Sequence, residues 1–263
     1  MALLTELLDD LRDESEGLDA LVSRLSETDW TRPTPAAGWT IAHQISHLAW
    51  TDAISVTAAT DPPAFYAALG AMQDDTTRAV DRAAADGLAP PPELLDRWRD
   101  GRARLAATLR QLPDGTKIPW FGTSMSPASM ATARLMETWA HGQDVADTLG
   151  VLRQPTARLR HVAYLGYRTI GWSFAAHGRE APTEPIRVEL SGPDGALWTY
   201  GPEGAANLVT GPALDFCLAV TQRRHRSDLG LVVVGPVANE WLDVAQAFAG
   251  PPGGKRQPVR AAS

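Results

Sequence analysis

Leucines near the N-terminus recur at alternating steps of three and four residues, the spacing of one face of an α-helix. The stripe contains Leu4, Leu7, Leu11, Leu18, Leu21 and Leu25. Glu14 is the one polar residue within it. The Pro- and Gly-rich segment TRPTPAAGW follows, and Thr40 is placed to cap a second helix that begins at Ile41. This pattern predicts two bundle helices joined by a loop.

Three further helical segments are predicted in the first part of the chain. Apolar spacing indicates helices over about residues 64–85 and about residues 91–112. The last helix begins after Ser126, a natural N-cap that is followed by proline, and ends at Gly150. Residues 1–150 are therefore predicted to form a bundle of four or five helices.

The pattern changes after residue 150. A helix is predicted around His161–His177, and two short strands, IRVEL and ALWTY, flank the turn SGPDG. NLVT is a candidate strand, GPALDFCLAVTQRR a helix, LGLVVVG a buried strand and ANEWLDVAQAFA a closing helix. Residues 151–250 are thus predicted to form a small α+β domain, and residues 251–263 a disordered tail. The class predicted for the whole chain is α+β.

Composition and charge narrow the class of function. The chain is 44% hydrophobic and 21% charged, which is typical of a globular protein. A net charge of -7 without a basic run argues against a nucleic-acid partner. The single cysteine, Cys217, excludes an internal disulfide and a cysteine-based zinc knuckle. An acidic N-terminus and the lack of a long apolar run predict a cytoplasmic protein with no membrane partner.

Candidate chemistry lies in the segment RLMETWAHGQDVADTLG. Glu137 and His141 are four residues apart and Asp144 follows three later, so all three share one face of the predicted helix. On the second helix His43 and His47 have the same four-residue spacing. Because apolar residues share the face of His47, we expect this histidine to lie inside the bundle.

Two facing helices with these residues can build a metal site. One histidine from the second helix, together with Glu137 and His141, would give three ligands and leave coordination positions open. Two imidazoles and one carboxylate suit zinc, iron or nickel better than magnesium or calcium. Each pair taken alone is equally typical of an exposed helix face, and spacing does not decide between the two interpretations.

The segments GWTIAHQISHLAW and RLMETWAHGQDVADTLG together resemble the DinB-like metal-binding bundle, specifically the mycothiol-dependent maleylpyruvate isomerase group. The loop before the second segment also fits this group at Pro119, Trp120, Gly122, Met125 and Ser126. The resemblance implies a divalent transition metal, zinc above all, bound by His47, Glu137 and His141. It places His43 outside the ligand set. It also implies that Asp144 orients a ligand or contacts the thiol cofactor.

The second part of the chain resembles the small sterol-carrier-like α+β domain that follows the bundle in the same group. There a helix ends in a Gly-Arg pair whose arginine holds an anionic substrate or thiol. Here the corresponding segment, TGPALDFCLAVTQRRHR, has Gln222-Arg223 in place of Gly-Arg. Arg223 is the best match for the anion-binding residue, followed by Arg224 and Arg226, although arginines here equally suit the C-terminus of a helix.

The resemblance implies a mycothiol-dependent enzyme, an isomerase or S-transferase that acts on a small electrophilic, anionic substrate. The expected partners are that substrate and a low-molecular-weight thiol, with the chain a monomer or homodimer. Two other functions stay open. One is a hydrolase that uses metal-activated water, and the other is a non-enzymatic module that binds a metal or an apolar ligand.

Overall fold

The structure, a computed structural model, describes residues 2–72 and 76–259. The chain divides into two compact units, Met1–Arg153 and Gln154–Ser263. Each unit is described here by itself.

The described part of the first unit contains seven helices and a β-hairpin. The helices are α1 (Ala2–Val22), α2 (Glu27–Trp30), α3 (Ile41–Thr60), α4 (Pro62–Gly70), α5 (Thr76–Asp86), α6 (Pro91–Gln111) and α7 (Pro127–Leu149). The hairpin pairs β1 (Ile118–Trp120) with β2 (Thr123–Met125) in antiparallel register. Helix α3 packs on α6 and α7, and α1 packs on α7.

The core of this unit is apolar and forms between α1, α3, α6 and α7. Its largest fully buried members include Leu18, Ile45, Leu48 and Trp98. Helix α7 contributes an almost continuously buried surface from Met130 onward, so polar residues on it are enclosed as well. This central helix and its neighbour α3 are therefore where buried chemistry can be assembled.

The predicted helix ends are confirmed where a capping residue marks them. Thr40 is the N-cap of α3, and Ser126 accepts a hydrogen bond from the backbone N–H of Ser129 at the start of α7. Gly150 ends α7 with φ +68°, a left-handed conformation that glycine adopts without steric cost.

Two predictions for the first unit were wrong in detail. The single helix predicted over residues 64–85 is two helices, since α4 ends at Gly70, and residues 73–75 lie outside the described part. The segment before α7, predicted as a loop, contains the β1–β2 hairpin, whose tight turn is made by Gly122 with φ +71°. Both features depend on local backbone geometry that apolar spacing does not encode.

The second unit packs helices against a four-stranded sheet. Its helices are α8 (Leu159–Arg168), α9 (Ile170–Ala176), α10 (Ala213–Val220) and α11 (Pro236–Val244). Its strands are β3 (Ile186–Ser191), β4 (Leu197–Tyr200), β5 (Asn207–Pro212) and β6 (Val232–Val234). The strand order is β4-β3-β5-β6, with β3 and β5 parallel and the other pairs antiparallel.

Three predictions for this unit are corrected. The helix around His161–His177 is two helices, α8 and α9, which meet at Thr169. LGLVVVG is an edge strand rather than a buried one, because β6 pairs with β5 alone among the described strands and leaves Val232 61% exposed. The closing helix stops at Val244, since Ala245 takes an extended conformation.

The predicted α+β class, with a helical bundle followed by a small α+β unit, is confirmed. Residues 251–259 have no helix or strand, while residues 260–263 lie outside the described part. The backbone N–H of Val259 donates to Asp228 of the second unit at 2.9 Å. Separate folding of residues 1–150 and 151–250, and disorder of the tail, stay predictions. None of the described helices combines the length and apolar composition needed to cross a bilayer.

Candidate metal centre

Three side chains from α3 and α7 converge inside the first unit. His47 lies on α3, and Glu137 and His141 lie one turn apart on α7. Oε2 of Glu137 is 3.1 Å from Nε2 of His141 and 3.5 Å from Nε2 of His47. One donor atom from each residue lies within 4.8 Å of the others, a spacing that a single ion can bridge. Helix spacing together with the family resemblance predicted that these three residues meet.

The charges of these side chains suit a metal ion. Burial opposes ionisation of Glu137, but its contacts with His141 and His47 and the charge of Arg134 outweigh it. The pKa of Glu137 is therefore well below its usual range, and the residue is a carboxylate. Burial and the neighbouring His141 lower the pKa of His47 to about 4, so this imidazole is neutral at neutral pH. A carboxylate and a neutral imidazole are the forms that bind divalent metals.

His141 is oriented by residues beyond the cluster. Its Nδ1–H donates to Oε1 of Gln44 at 2.5 Å, which leaves Nε2 facing Glu137. Gln44 in turn donates to Oγ1 of Thr34, and that hydroxyl donates to the carbonyl of Trp39. Such a chain fixes the tautomer of a ligating histidine. The other histidine differs, because Nδ1 of His47 is buried and has no hydrogen-bond partner among the described residues.

Trp39 covers one side of the cluster. Its ring stacks on His141 with centroids 5.8 Å apart and contacts His47 at 5.2 Å. Its indole N–H donates to Asp81 of α5 at 2.9 Å. His43 lies apart from the cluster, where its Nδ1 accepts from the backbone N–H of Thr40 at the start of α3. The structure thus gives His43 a place in the helix cap.

Sequence reasoning missed two buried charged residues beside the cluster. Arg134 lies on α7, is 3% exposed, and has Nη2 3.6 Å from Oε1 of Glu137. Asp52 lies on α3 and is 5% exposed. Burial raises its pKa to about 7, and the charges of Arg134 and Arg102 only partly oppose this shift. The signal for Arg134 was its position three residues before Glu137, on the same helix face.

Asp144 is fully buried on α7. Its predicted role, to orient a ligand or contact the thiol cofactor, stays a prediction. Its position three residues after His141 is compatible with a supporting role in the bundle.

The arginines expected to bind an anion lie in the second unit. Nη1 of Arg223 donates to the carbonyl of Thr221, and Nη1 of Arg224 donates to the carbonyl of Arg223, both at 2.7 Å. Arg226 pairs with Asp243 and hydrogen bonds to Asn239. All three therefore contact groups of their own unit.

The end of α10 is where Gln222-Arg223 replaces the Gly-Arg pair. Gln222 has φ +59°, and it is the one non-glycine residue with positive φ in the described chain. The N–H groups of Gln222 and Arg223 bond to the carbonyls of Ala219 and Leu218, as in a Schellman cap. Glycine would adopt this conformation without strain, so Gln222 occupies the position of the glycine in the Gly-Arg pair.

Cys217 is fully enclosed on α10, and burial raises the pKa of its thiol well above the usual range. A thiol in this state is not a nucleophile. Any thiol chemistry at this protein therefore needs a sulfur from another molecule.

Residues 11–146 match the family profile described as mycothiol maleylpyruvate isomerase N-terminal domain. The chain belongs to this family. The matched region holds all three clustered residues, and it confirms the resemblance found in the sequence. Residues 182–231 match a second profile, described as wyosine base formation, which covers a minor part of the chain.

Relatives in sequence and solved structures both resemble the chain over most of its length. Two uncharacterized proteins of Mycobacterium tuberculosis, from strains CDC 1551 and H37Rv, are each 55% identical over 93% of this chain and 95% of their own length. The crystal structures of a mycothiol-dependent maleylpyruvate isomerase and of its histidine-to-alanine mutant align with a TM-score of 0.59 at 16% identity. Each alignment covers 88% of this chain and 92% of the other. At this identity the likeness shows the fold.

Proposed function

We propose that the protein is a metal-dependent, mycothiol-dependent enzyme. It acts as an isomerase or S-transferase on a small, electrophilic, anionic substrate. The observation that carries this proposal is the convergence of His47, Glu137 and His141 inside the bundle of a maleylpyruvate isomerase family member. The similarity to a solved mycothiol-dependent maleylpyruvate isomerase supports it.

The ligand set is His47, Glu137 and His141, and zinc is the proposed ion. A divalent metal held there would favour the thiolate form of a coordinated thiol. Glu137 supplies the one negative charge of the ligand set, and Gln44 keeps Nε2 of His141 directed toward it. Trp39 shields both imidazoles from water on one side.

The other roles follow from burial and charge. Asp144, which is fully buried on α7, is proposed to orient a ligand or contact the thiol. Arg223 is the proposed anchor for an anionic group of the substrate or thiol, with Arg224 as the second choice. The inert Cys217 supports the need for an external thiol.

The test uses the full-length protein loaded with cobalt and titrated with mycothiol. The expected result is a new sulfur-to-cobalt absorption band that saturates with mycothiol, followed by isomerisation of maleylpyruvate or transfer of the thiol to another electrophile. Replacing mycothiol with a buffer that contains no thiol serves as the control.

Three results would contradict the proposal. Failure of the wild-type protein to retain any divalent metal would remove the centre itself. Turnover in water without a thiol would favour the hydrolase. Absence of turnover together with tight binding of an apolar ligand would favour the binding module.

A further inference from the structure

Arg134 is a charged side chain next to the proposed ligands and is not itself one of them. It is buried on α7, one turn before Glu137, and its guanidinium carbon lies 5.7 Å from the ring centre of Trp120. Its Nη2 is 3.6 Å from Oε1 of Glu137. Packing against the indole and the rest of α7 leaves this guanidinium little freedom to move.

The two oxygens of Glu137 therefore have different partners. Oε2 faces Nε2 of His141 and Nε2 of His47, at 3.1 and 3.5 Å. Oε1 faces the guanidinium of Arg134. If the carboxylate rotated to turn both oxygens toward the histidines, Oε1 would move away from Arg134. The buried guanidinium would then lose this anionic partner, which costs free energy.

We infer that Arg134 is a positioning residue that keeps Oε1 of Glu137 away from the metal, so that Oε2 is the single carboxylate ligand atom. This inference rests on the proposed metal centre. A carboxylate that shares its charge with a guanidinium is a weaker donor, so the bound ion stays a stronger Lewis acid and keeps a coordination position open for the thiol. Arg134 would thus favour reactivity over tight metal binding.

The surroundings of Arg134 support this role. Its Nε and Nη1 are buried and have no hydrogen-bond partner among the described residues. Asp52 of α3 is an acid whose carboxyl interacts electrostatically with Arg134. The charges of Arg102 on α6 and of Glu137 also affect the pKa of Asp52. Because the pKa of Asp52 is raised to about 7, this acid only partly neutralises Arg134 near neutral pH. Part of the charge of Arg134 is therefore available to act on Glu137.

The experiment compares cobalt-substituted wild type with R134M. Methionine fills a similar volume without charge, so the carboxylate can turn both oxygens to the ion. We expect the cobalt d–d absorption to weaken, as it does when the coordination number rises. Cobalt affinity should increase on the order of tenfold, because a cation that repels the ion has been removed.

R102M is the matched control. The charge of Arg102 also acts on Asp52, but its guanidinium donates to Asp19 of α1. Its cobalt spectrum should equal that of the wild type. If R134M does not fold, the double variant D52N/R134M removes both buried charges and carries the same expectation.

Two outcomes would overturn the inference. One is a folded R134M or D52N/R134M protein with the wild-type cobalt spectrum and affinity. The other is a folded variant with lower cobalt affinity, which would mean that Arg134 only helps to assemble the site. Failure of the wild type to bind cobalt would instead overturn the metal centre, so the two failures are distinguishable.

Discussion

The two units use their arginines in different ways. In the first unit Arg134 is buried beside a carboxylate and shares its helix with two proposed metal ligands. In the second unit Arg223 and Arg224 are partly exposed and donate to backbone carbonyls at the end of α10. A buried guanidinium must be matched by an anion, whereas one at a helix end is satisfied by the carbonyls there.

This difference decides what each unit reveals about function. The partners of Arg134 are fixed inside one bundle, so its effect on Glu137 follows from geometry. The hydrogen bond from Arg223 to the carbonyl of Thr221 lies at the end of a helix, and the anion proposed for Arg223 stays a prediction. Variants that remove either a buried charge or a helix-capping charge therefore test this difference between the two units directly.

The largest effect is expected from removing a proposed ligand. H141A should lose its metal during purification, with apparent affinity for zinc reduced by more than about 100-fold, because two ligands cannot replace three. Metal content per chain measures this. H43A is the control on the other helix, and it should keep the metal while losing about 1 kcal/mol of stability with its cap. Full occupancy in H141A would remove this residue from the ligand set.

The next effect concerns a buried ion pair that anchors α1. Glu14 is 2% exposed and pairs with Arg153, which also donates to the carbonyl of Trp139 at 2.9 Å. R153A should reduce the free energy of unfolding in urea by about 3 kcal/mol, because it removes the guanidinium that pairs with a buried carboxylate. Exposed Arg12, which pairs with Asp9 and Asp13, is the control. R12A should leave the free energy of unfolding almost unchanged, because exposed ion pairs contribute little. Equal losses in both variants would contradict the distinction.

Asp52 should give a smaller effect that depends on pH. Its pKa is about 7 in the folded protein and near 3.8 when unfolded, so between these values the folded state holds a proton that the unfolded state releases. Wild-type stability therefore falls as pH rises through this window, by up to about 1.4 kcal/mol per pH unit.

The variant D52N has no proton to release at this position. Its free energy of unfolding, measured relative to the wild type, should rise from about pH 4 to pH 7 and stay constant above pH 7. Urea unfolding of both proteins at pH 4.5, 6 and 8 provides the comparison. A difference that does not vary with pH would mean that Asp52 is already ionised throughout.

The sequence predicted the elements whose signals are local. Thr40, Ser126 and Gly150 mark helix ends by their own chemistry, and the four-residue spacing of Glu137 and His141 places both on one side of α7. The meeting of this pair with His47 needed the family resemblance as well. Spacing alone fits an exposed helix face equally well.

Features that depend on distant partners were not predictable. Glu14 looked like an interruption of the leucine stripe, because its partner Arg153 is 139 residues away. The valines of β6 looked like a buried strand, and only the sheet order places them at an edge. Arg134 lies three residues before Glu137 on the same helix, which is a local signal, but its burial beside Asp52 and Trp120 depends on other elements.

The smallest structural effect is expected at Arg223. Because its guanidinium donates to the carbonyl of Thr221 at the end of α10, R223A should lower the free energy of unfolding by less than about 1 kcal/mol. Metal content and the cobalt spectrum should equal those of the wild type, since no proposed ligand is changed.

If Arg223 is also the proposed anchor, mycothiol or substrate binding should weaken about tenfold, which a titration of the cobalt protein measures. R224A is the matched control at the neighbouring position, and a loss of binding in R224A alone would transfer the role to that residue. Loss of metal from R223A would contradict the separation between the buried charges of the first unit and the capping charges of the second.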